Sequence, residues 1–279
     1  RIPAMQNRHH LLSLTPGRLN RLLHICYQNI WTEVTPPRAE ATRPTPNITP
    51  LRKARRQKRV KVTPGTHWGQ LFDHRWYHLK LPKSSAGRFL HWQERSEATL
   101  YLKGQPYYGF DVAHRYAPLP DPSPSDVWVQ SSCIQSAMWH PDATGVTSRG
   151  SLFEGVSLKA RDERYWQAYH DLKCLLDLLE DMRSREDPGY RPHQSNSGPP
   201  PEVLFHTPAF RMLLRRLDDA ANAYDQQGIE ALLTALKAIY NDFREDRSFH
   251  ESVLTGHAHI DLVWLWPERL GELKAVHTF

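Results

Sequence analysis

The hydrophobic pattern of the chain changes its period near residue 160, and this change limits the folds that the sequence can form. Before it, apolar and polar residues alternate in short runs separated by Gly and Pro, as at Tyr77, Leu79 and Leu81. Alternation is typical of strands with one buried face, so we expect a small antiparallel β-sandwich. After it, apolar residues recur every three or four positions, which is the period of amphipathic helices. The sequence therefore predicts a multidomain α+β chain.

Three apolar stripes predict three helices after residue 160. They consist of Tyr165, Tyr169, Leu172, Leu176 and Leu179, then Phe210, Leu213, Leu214, Leu217 and Ala221, then Leu232, Leu233, Leu236, Ile239, Tyr240 and Phe243. The first helix is expected to end near the breaker Asp187-Pro188-Gly189. Thr207 before Pro208 is a suitable N-cap and first-turn pair, and Gly228 separates the last two helices. We interpret the stripes as packed core.

Positive charge is concentrated at the start of the chain. Residues 1–62 contain thirteen Lys or Arg and only two acidic residues, whereas the whole chain has a net charge of +6, so the rest is net negative. The basic run 52–59 could bind phosphates without sequence preference. We favour a solvated linker after the Pro-rich segment 36–50, because like charges repel and prolines resist compaction. One amphipathic helix is expected before it, with Leu19, Leu22, Leu23 and Cys26 on its apolar face.

The cysteines and the hydropathy indicate a cytoplasmic protein that does not associate with membranes. Cys26, Cys133 and Cys174 are odd in number and widely separated, which argues against a disulfide framework and favours a reducing compartment. No stretch approaches the roughly 18 consecutive apolar residues of a membrane span. The start also lacks the basic-then-apolar pattern of a secretory signal.

The segment from Gly256 to Pro267 contains the most concentrated group of candidate metal ligands. His257, His259 and Asp261 occupy every second position, so in an extended strand they would share one face, about 7 Å apart per step. Imidazole and carboxylate suit a borderline divalent ion, usually zinc, and catalytic zinc takes about three or four such ligands. With sixteen histidines in the chain, a bare His-x-His pair is equally typical of local hydrogen bonding. Asp261 and the tryptophans after it favour the metal site.

Two other metallohydrolase patterns fit this segment less well. A binuclear hydrolase of the metallo-β-lactamase type needs a histidine directly after the aspartate, where this chain has Leu262. An amidohydrolase barrel opens with His-x-His but does not require the aspartate or the Trp-Leu-Trp-Pro that follows. Elsewhere, we interpret Asp111, His114 and Arg115 as a loop salt-bridge cluster in preference to a sugar contact, and Trp128 and Trp139 as packing residues in preference to a sugar platform.

The run from Gly256 to Phe279 resembles the opening strand and helix of the catalytic domain of family 38 glycoside hydrolases, the zinc-dependent retaining α-mannosidases. The resemblance implies that His259 and Asp261 bind zinc, that Trp264 packs against the bound sugar and that His257 lies beside the site. The chain departs from the commonest family form at Leu270, Gly271, Leu273 and His277.

The resemblance extends upstream over roughly residues 64 to 279. The Trp68-Gly69 pair, the turn 102–106 and the segment Gly109-Phe110-Asp111 are similar to the amino-terminal β-domain of bacterial α-mannosidases. The expected organisation is therefore a basic, partly disordered leader with one helix (1–63), a β-sandwich (64–158), a helical region (159–250) and the first strand and helix of a β/α barrel (251–279).

The expected function is metal-assisted hydrolysis of terminal α-mannosides in an oligosaccharide, with retention. The resemblance places the nucleophile and the remaining zinc ligand beyond Phe279. Since the chain also begins at Arg1, we expect a fragment that is inactive alone, from a parent enzyme that could form a homo-oligomer. Nucleic acid is a less favoured partner. The alternative is a non-catalytic glycan- or nucleic-acid-binding protein with a vestigial metal site.

Overall fold

The computed structural model describes residues 7–34, 36–82, 85–134, 149–186, 207–244, 253, 255–261 and 266–279. It divides the chain into two compact units, one formed by residues 1–32 and 161–252 and the other by residues 33–160 and 253–279. The first unit contains long helices, and the second contains antiparallel sheets. The predicted mixture of α and β structure is confirmed, but the division differs from the expected consecutive domains because each unit combines two separate segments.

The elements follow one another along the chain as six helices and eleven strands within the described residues. The helices are α1 (Asn7–Asn29), α2 (Leu51–Ala54), α3 (Glu163–Glu186), α4 (Pro208–Gln227), α5 (Ile229–Arg244) and α6 (Gly271–Thr278). The strands are β1 (Trp31–Val34), β2 (Arg38–Ala41), β3 (Val60–Lys61), β4 (Thr66–Trp68), β5 (His74–Lys80), β6 (Phe89–Glu94), β7 (Glu97–Leu102), β8 (Gln105–Phe110), β9 (Tyr116–Pro118), β10 (Val127–Ser132) and β11 (Ser151–Arg161).

The helical unit packs α1, α3, α4 and α5 around one apolar core. The predicted stripes supply this core, whose buried members include Leu19, Leu22, Cys26, Leu172, Leu213, Leu217, Leu232, Leu236 and Ile239. Helix α4 starts where the sequence predicted, since the Thr207 hydroxyl accepts a hydrogen bond from the Phe210 N–H at 3.3 Å. Arg18 on α1 donates to Asp218 (3.0 Å) and Asn222 (2.8 Å) on α4. The helix of the expected leader is therefore an integral part of the bundle.

The second unit is a sandwich of two antiparallel sheets. One sheet has the strand order β1-β11-β6-β9, with β4 also paired to β11, and the other has the order β3-β2-β5-β10-β7-β8. A shared core joins the sheets, with Leu90, Trp92, Phe153 and Leu158 from the first and Tyr77, Leu79, Leu100, Val127 and Val129 from the second. The turn between β7 and β8 has positive φ angles at Lys103 (54°) and Gly104 (84°), as a tight hairpin requires.

The outer face of the second sheet is covered by the basic segment that the sequence interpretation placed in a linker. Ala54 of α2 is fully buried and packs with Trp76 and Trp128, with Leu51 and Tyr101 around them. The segments before and after α2 form strands β2 and β3 of the same sheet. The expected leader boundary at residue 63 was therefore wrong, because apolar contacts outweigh the charge repulsion that favoured an extended linker.

Helix α6 lies against strands β7 and β8 of the sandwich. Leu270, immediately before the helix, is 1% exposed, and the backbone of His277 approaches Gly109 so closely that an added Cβ would lie 2.1 Å from the His277 carbonyl oxygen. A residue without a side chain is required at position 109. The candidate metal segment directly precedes this helix in the chain.

Candidate metal-binding segment

The described residues of the candidate segment are 256–261, 266 and 267, and residues 256–261 form a largely exposed stretch without regular secondary structure. The sequence predicted the first strand of a barrel here. A strand requires a hydrogen-bonded neighbour, and within the described parts of the chain no strand pairs with these residues. Among the described residues 256–261 the predicted strand is therefore not formed, and its expected one-face geometry does not position the two ligands there.

Local geometry nevertheless brings two of the predicted ligands together. His259 Nε2 lies 3.1 Å from Asp261 Oδ1, and the two side chains are 77% and 47% exposed. In zinc sites the metal lies about 2.0–2.2 Å from imidazole nitrogen and carboxylate oxygen, so two atoms 3.1 Å apart can bind the same ion. The pair fits a metal ion in donor type, in spacing and in access from solvent.

A third ligand is not supplied by the described part of the chain. No group of three or more His, Cys, Asp or Glu side chains there has an arrangement that could hold a metal. His257 is exposed beside the pair. Trp264, predicted to contact the sugar, lies outside the described residues. The pair therefore accounts for half of a four-ligand zinc site.

A second polar cluster lies between the end of β8 and α6 and centres on Asp111. Its Oδ1 accepts hydrogen bonds from the N–H groups of Ala113 and His114, both at 2.7 Å, and lies 3.0 Å from Nδ1 of His114. Nε2 of His277 lies 3.8 Å from Oδ2. Nδ1 of His277 donates to the Ala98 carbonyl at 3.1 Å. The carboxylate of Asp111 is thus occupied by donors from its own chain.

These contacts determine the charge state of Asp111. Burial alone would raise the pKa of its carboxyl group, but the nearby His277 ring and the hydrogen bonds from the His114 ring and from the backbone N–H groups of His114 and Ala113 hold the pKa well below its usual range. Asp111 is consequently ionised at neutral pH. Sequence reasoning found Asp111 and His114 but missed His277, which is 166 positions from Asp111 in the chain and carries no pattern linking the two.

A groove of about 520 Å³ opens beside this cluster. Its wall includes Tyr107, which is 44% exposed, together with Tyr108 and His114. Arg115, the third predicted cluster member, instead donates from Nε to the Val112 carbonyl at 3.2 Å. The cluster therefore consists of one carboxylate and two imidazoles, and the predicted contact between Asp111 and His114 is present with a separation of 3.0 Å.

The remaining predicted aromatic and cysteine residues have defined environments. Trp128 is 3% exposed, so its interpretation as a packing residue is confirmed, whereas Trp139 lies outside the described residues. Cys26 and Cys133 are buried, and burial raises the pKa of each thiol to about 11. Cys174, on α3, is exposed.

No protein-family model matches the chain, and no curated protein matches it. None of the helices in the described residues combines the length and the apolar content that crossing a bilayer requires.

Proposed function

We propose that the chain is the amino-terminal part of a zinc-dependent α-mannosidase, a glycoside hydrolase that cleaves terminal α-mannosides with retention. The observation that carries this proposal is the His259–Asp261 pair, whose Nε2 and Oδ1 atoms lie 3.1 Å apart with both side chains exposed. These two residues are the zinc ligands that the family resemblance implies. An exposed imidazole next to an exposed carboxylate supplies the donor types that zinc prefers.

The proposed roles follow from the chemistry of each side chain. His259 and Asp261 would hold the zinc ion, His257 would lie beside it, and Trp264 would present its ring to the sugar. A bound zinc ion supplies Lewis-acid stabilisation of developing negative charge and a fixed point for substrate hydroxyl groups. An α-mannoside oligosaccharide is the proposed substrate.

Retention requires two further carboxyl groups about 5 Å apart, one as nucleophile and one as acid/base. The family resemblance assigns neither carboxyl group to a residue of this chain, so we propose that the chain alone does not hydrolyse the substrate. We also propose a cytoplasmic location. The support for it is that the three cysteines are free thiols.

The decisive experiment places this chain within the complete α-mannosidase that we propose. Hydrolysis of p-nitrophenyl α-mannoside and bound zinc are measured for the parent protein, His259→Ala and Asp261→Ala, with and without chelator. His24→Ala, which removes an exposed histidine of α1, is the matched control. We expect each ligand variant to lose its zinc and at least ~100-fold of its kcat, since even outer-shell changes at metal sites cost about 10–100-fold.

The control should retain both zinc and activity, and chelation should reduce the parent protein to the level of the ligand variants. Full zinc content with normal turnover in either ligand variant would show that His259 and Asp261 are not zinc ligands. Turnover of other glycosides in preference to the mannoside would reject the proposed substrate class.

A further inference from the structure

The outer face of the second sheet carries a compact group of exposed cations, which we call the α2 patch. It consists of Arg52, Lys53, Arg56, Lys58 and Lys103. None of these five side chains forms an ion pair with any residue that the structure describes. A strongly basic, unneutralised surface attracts polyanions.

The fold holds the α2 patch in place. Ala54 is fully buried in the cluster with Trp76 and Trp128. The turn around it is closed by backbone hydrogen bonds, from the Arg55 N–H to the Leu51 carbonyl at 2.9 Å and from the Gln57 N–H to the Ala54 carbonyl at 3.0 Å. Cations on an anchored turn lose less conformational entropy on binding than cations on a flexible linker.

The acidic residues near the patch are already paired. Asp126 accepts from Arg55 at 2.5 Å and from the Trp128 ring N–H at 2.6 Å. Glu40 pairs with Arg59 at 3.5 Å. The two carboxylates therefore neutralise Arg55 and Arg59, and the five patch cations keep their charge.

Lys103 brings a separate part of the chain to the same surface. It lies in the β7–β8 turn next to Gly104, where an added Cβ would lie 3.6 Å from Nη2 of Arg55. The positive surface is thus assembled from α2, the residues after it and the tip of a hairpin. This arrangement comes from the tertiary structure, since the local sequence around Lys103 is not basic.

Protection of the sheet edge explains the α2 patch less well than binding of a polyanion does. Lysines often lie on edge strands to prevent pairing with other chains. Here the edge strands are β3 and β8, whereas four of the patch cations lie in α2 and the turn that follows it. Their position above the sheet does not shield the edge.

We propose that the α2 patch binds the phosphodiester backbone of nucleic acid without sequence preference. Phosphate contacts by Lys and Arg need no base readout. The two tryptophans that pack with α2, Trp76 and Trp128, are each 3% exposed, so they do not offer a stacking surface for bases. An anionic membrane fits less well, because amphipathic membrane contacts also bury an apolar face, and the apolar side of α2 already contacts the sheet.

Fluorescence anisotropy tests the proposal with two labelled duplex DNAs of unrelated sequence, at several salt concentrations. The test variant is Arg52→Gln, Lys53→Gln, Arg56→Gln and Lys58→Gln combined. The matched control neutralises four exposed cations of the helical unit, Arg21→Gln, Arg211→Gln, Arg215→Gln and Lys237→Gln. Both variants have the same net charge, and circular dichroism checks that both are folded.

We expect the parent chain to bind both duplexes with equal, salt-dependent affinity. The patch variant should bind at least ~10-fold more weakly, and the control should lose less affinity than the patch variant. The slope of log affinity against log salt should fall by about 0.9 for every phosphate contact removed. Equal weakening by the two variants would overturn the proposal, because net charge alone would then explain binding. No binding by the unmodified chain, or binding to phosphatidylserine vesicles but not to DNA, would also overturn it.

Discussion

Lys274 Nζ donates to both carboxylate oxygens of Glu97, at 2.8 and 2.7 Å, and so links α6 to strand β7. The side chains are only 14% and 15% exposed. The same ammonium group lies 4.2 Å from the Trp266 ring centroid. The helix that follows the candidate metal segment is thereby fixed to the sandwich by a charge pair largely removed from water.

Replacing Lys274 with Met should release α6 from the sheet. The change leaves the Glu97 carboxylate buried without its partner, which typically costs about 3–5 kcal/mol. Hydrogen exchange of the α6 amides should accelerate strongly. Lys173→Met is the control, since its pair with Asp177 is exposed and such pairs contribute about 0–1 kcal/mol. Unchanged exchange in α6 would show that the Glu97 contact does not hold the helix.

Gly109→Ala should displace the end of α6. The new methyl group would lie 2.1 Å from the His277 carbonyl oxygen, a separation that real Cβ atoms do not adopt. Hydrogen exchange of residues 274–279 and the thermal midpoint of the sandwich measure the effect. Gly17→Ala is the control, because its Cβ would meet nothing within 4 Å and alanine gains about 1 kcal/mol in a helix. Equal midpoints for Gly109→Ala and the parent chain would contradict the close packing.

Glu94→Ala should be among the most destabilising single changes in the sandwich. Glu94 is fully buried, lies 3.6 Å from buried Arg75 and accepts hydrogen bonds from Trp68 Nε1 at 2.7 Å and the Ser96 hydroxyl at 2.8 Å. Its removal leaves the buried guanidinium without its carboxylate. We expect the free energy of unfolding to fall by about 3–5 kcal/mol, measured in urea with tryptophan fluorescence as the signal.

Two matched variants separate charge from packing at this position. Glu94→Gln keeps an acceptor oxygen and should therefore lose less stability than Glu94→Ala. Glu154→Ala removes the partner of the partly exposed Arg95 and should cost no more than about 1 kcal/mol. Equal losses for Glu94→Ala and Glu154→Ala would show that the buried network contributes little to stability.

His91→Phe should reduce the acid sensitivity of the sandwich. Burial, reinforced by the positive charges of Lys159 and Arg115, lowers the pKa of His91 from 6.5 to about 4. Between these values the unfolded chain binds a proton that the folded chain excludes, so stability is lost as the pH falls from about 6.5 towards 4. Phenylalanine keeps an aromatic ring against Tyr116, which stacks on His91 at a centroid distance of 4.3 Å. The free energy of unfolding in urea should fall less steeply over this pH range in the variant than in the parent chain. An unchanged pH dependence would be inconsistent with a neutral buried His91.

The helices were predictable because their signals are local. The stripes of α3, α4 and α5 bury the expected leucines, and Thr207, Pro208 and Gly228 mark helix ends through their own backbone preferences. Alternation likewise found β5, where Tyr77 and Leu79 are fully buried. Alternation alone did not predict burial of the opposite face of that strand, because nineteen residues, 55–73, separate the strand from the α2 segment that covers Trp76.

The candidate site was predictable only in part. The types and spacing of His259 and Asp261 indicated a metal pair, and a local 3.1 Å approach needs no distant element. The expected strand geometry did require distant partners and is not formed in the described residues. His277 shows the same limit, since its contacts to Asp111 and Ala98 depend on how α6 docks and leave no trace in nearby sequence.

The sequence by itself determined which segments are helical and which alternate as strands, and it placed His259 close to Asp261, because backbone preference and side-chain period act over a few residues. Tertiary structure decided where the basic segment lies, which charges remain unpaired and which groups hold α6 in place. Those outcomes depend on burial and on contacts between residues far apart in the chain, and no short window of sequence contains both partners.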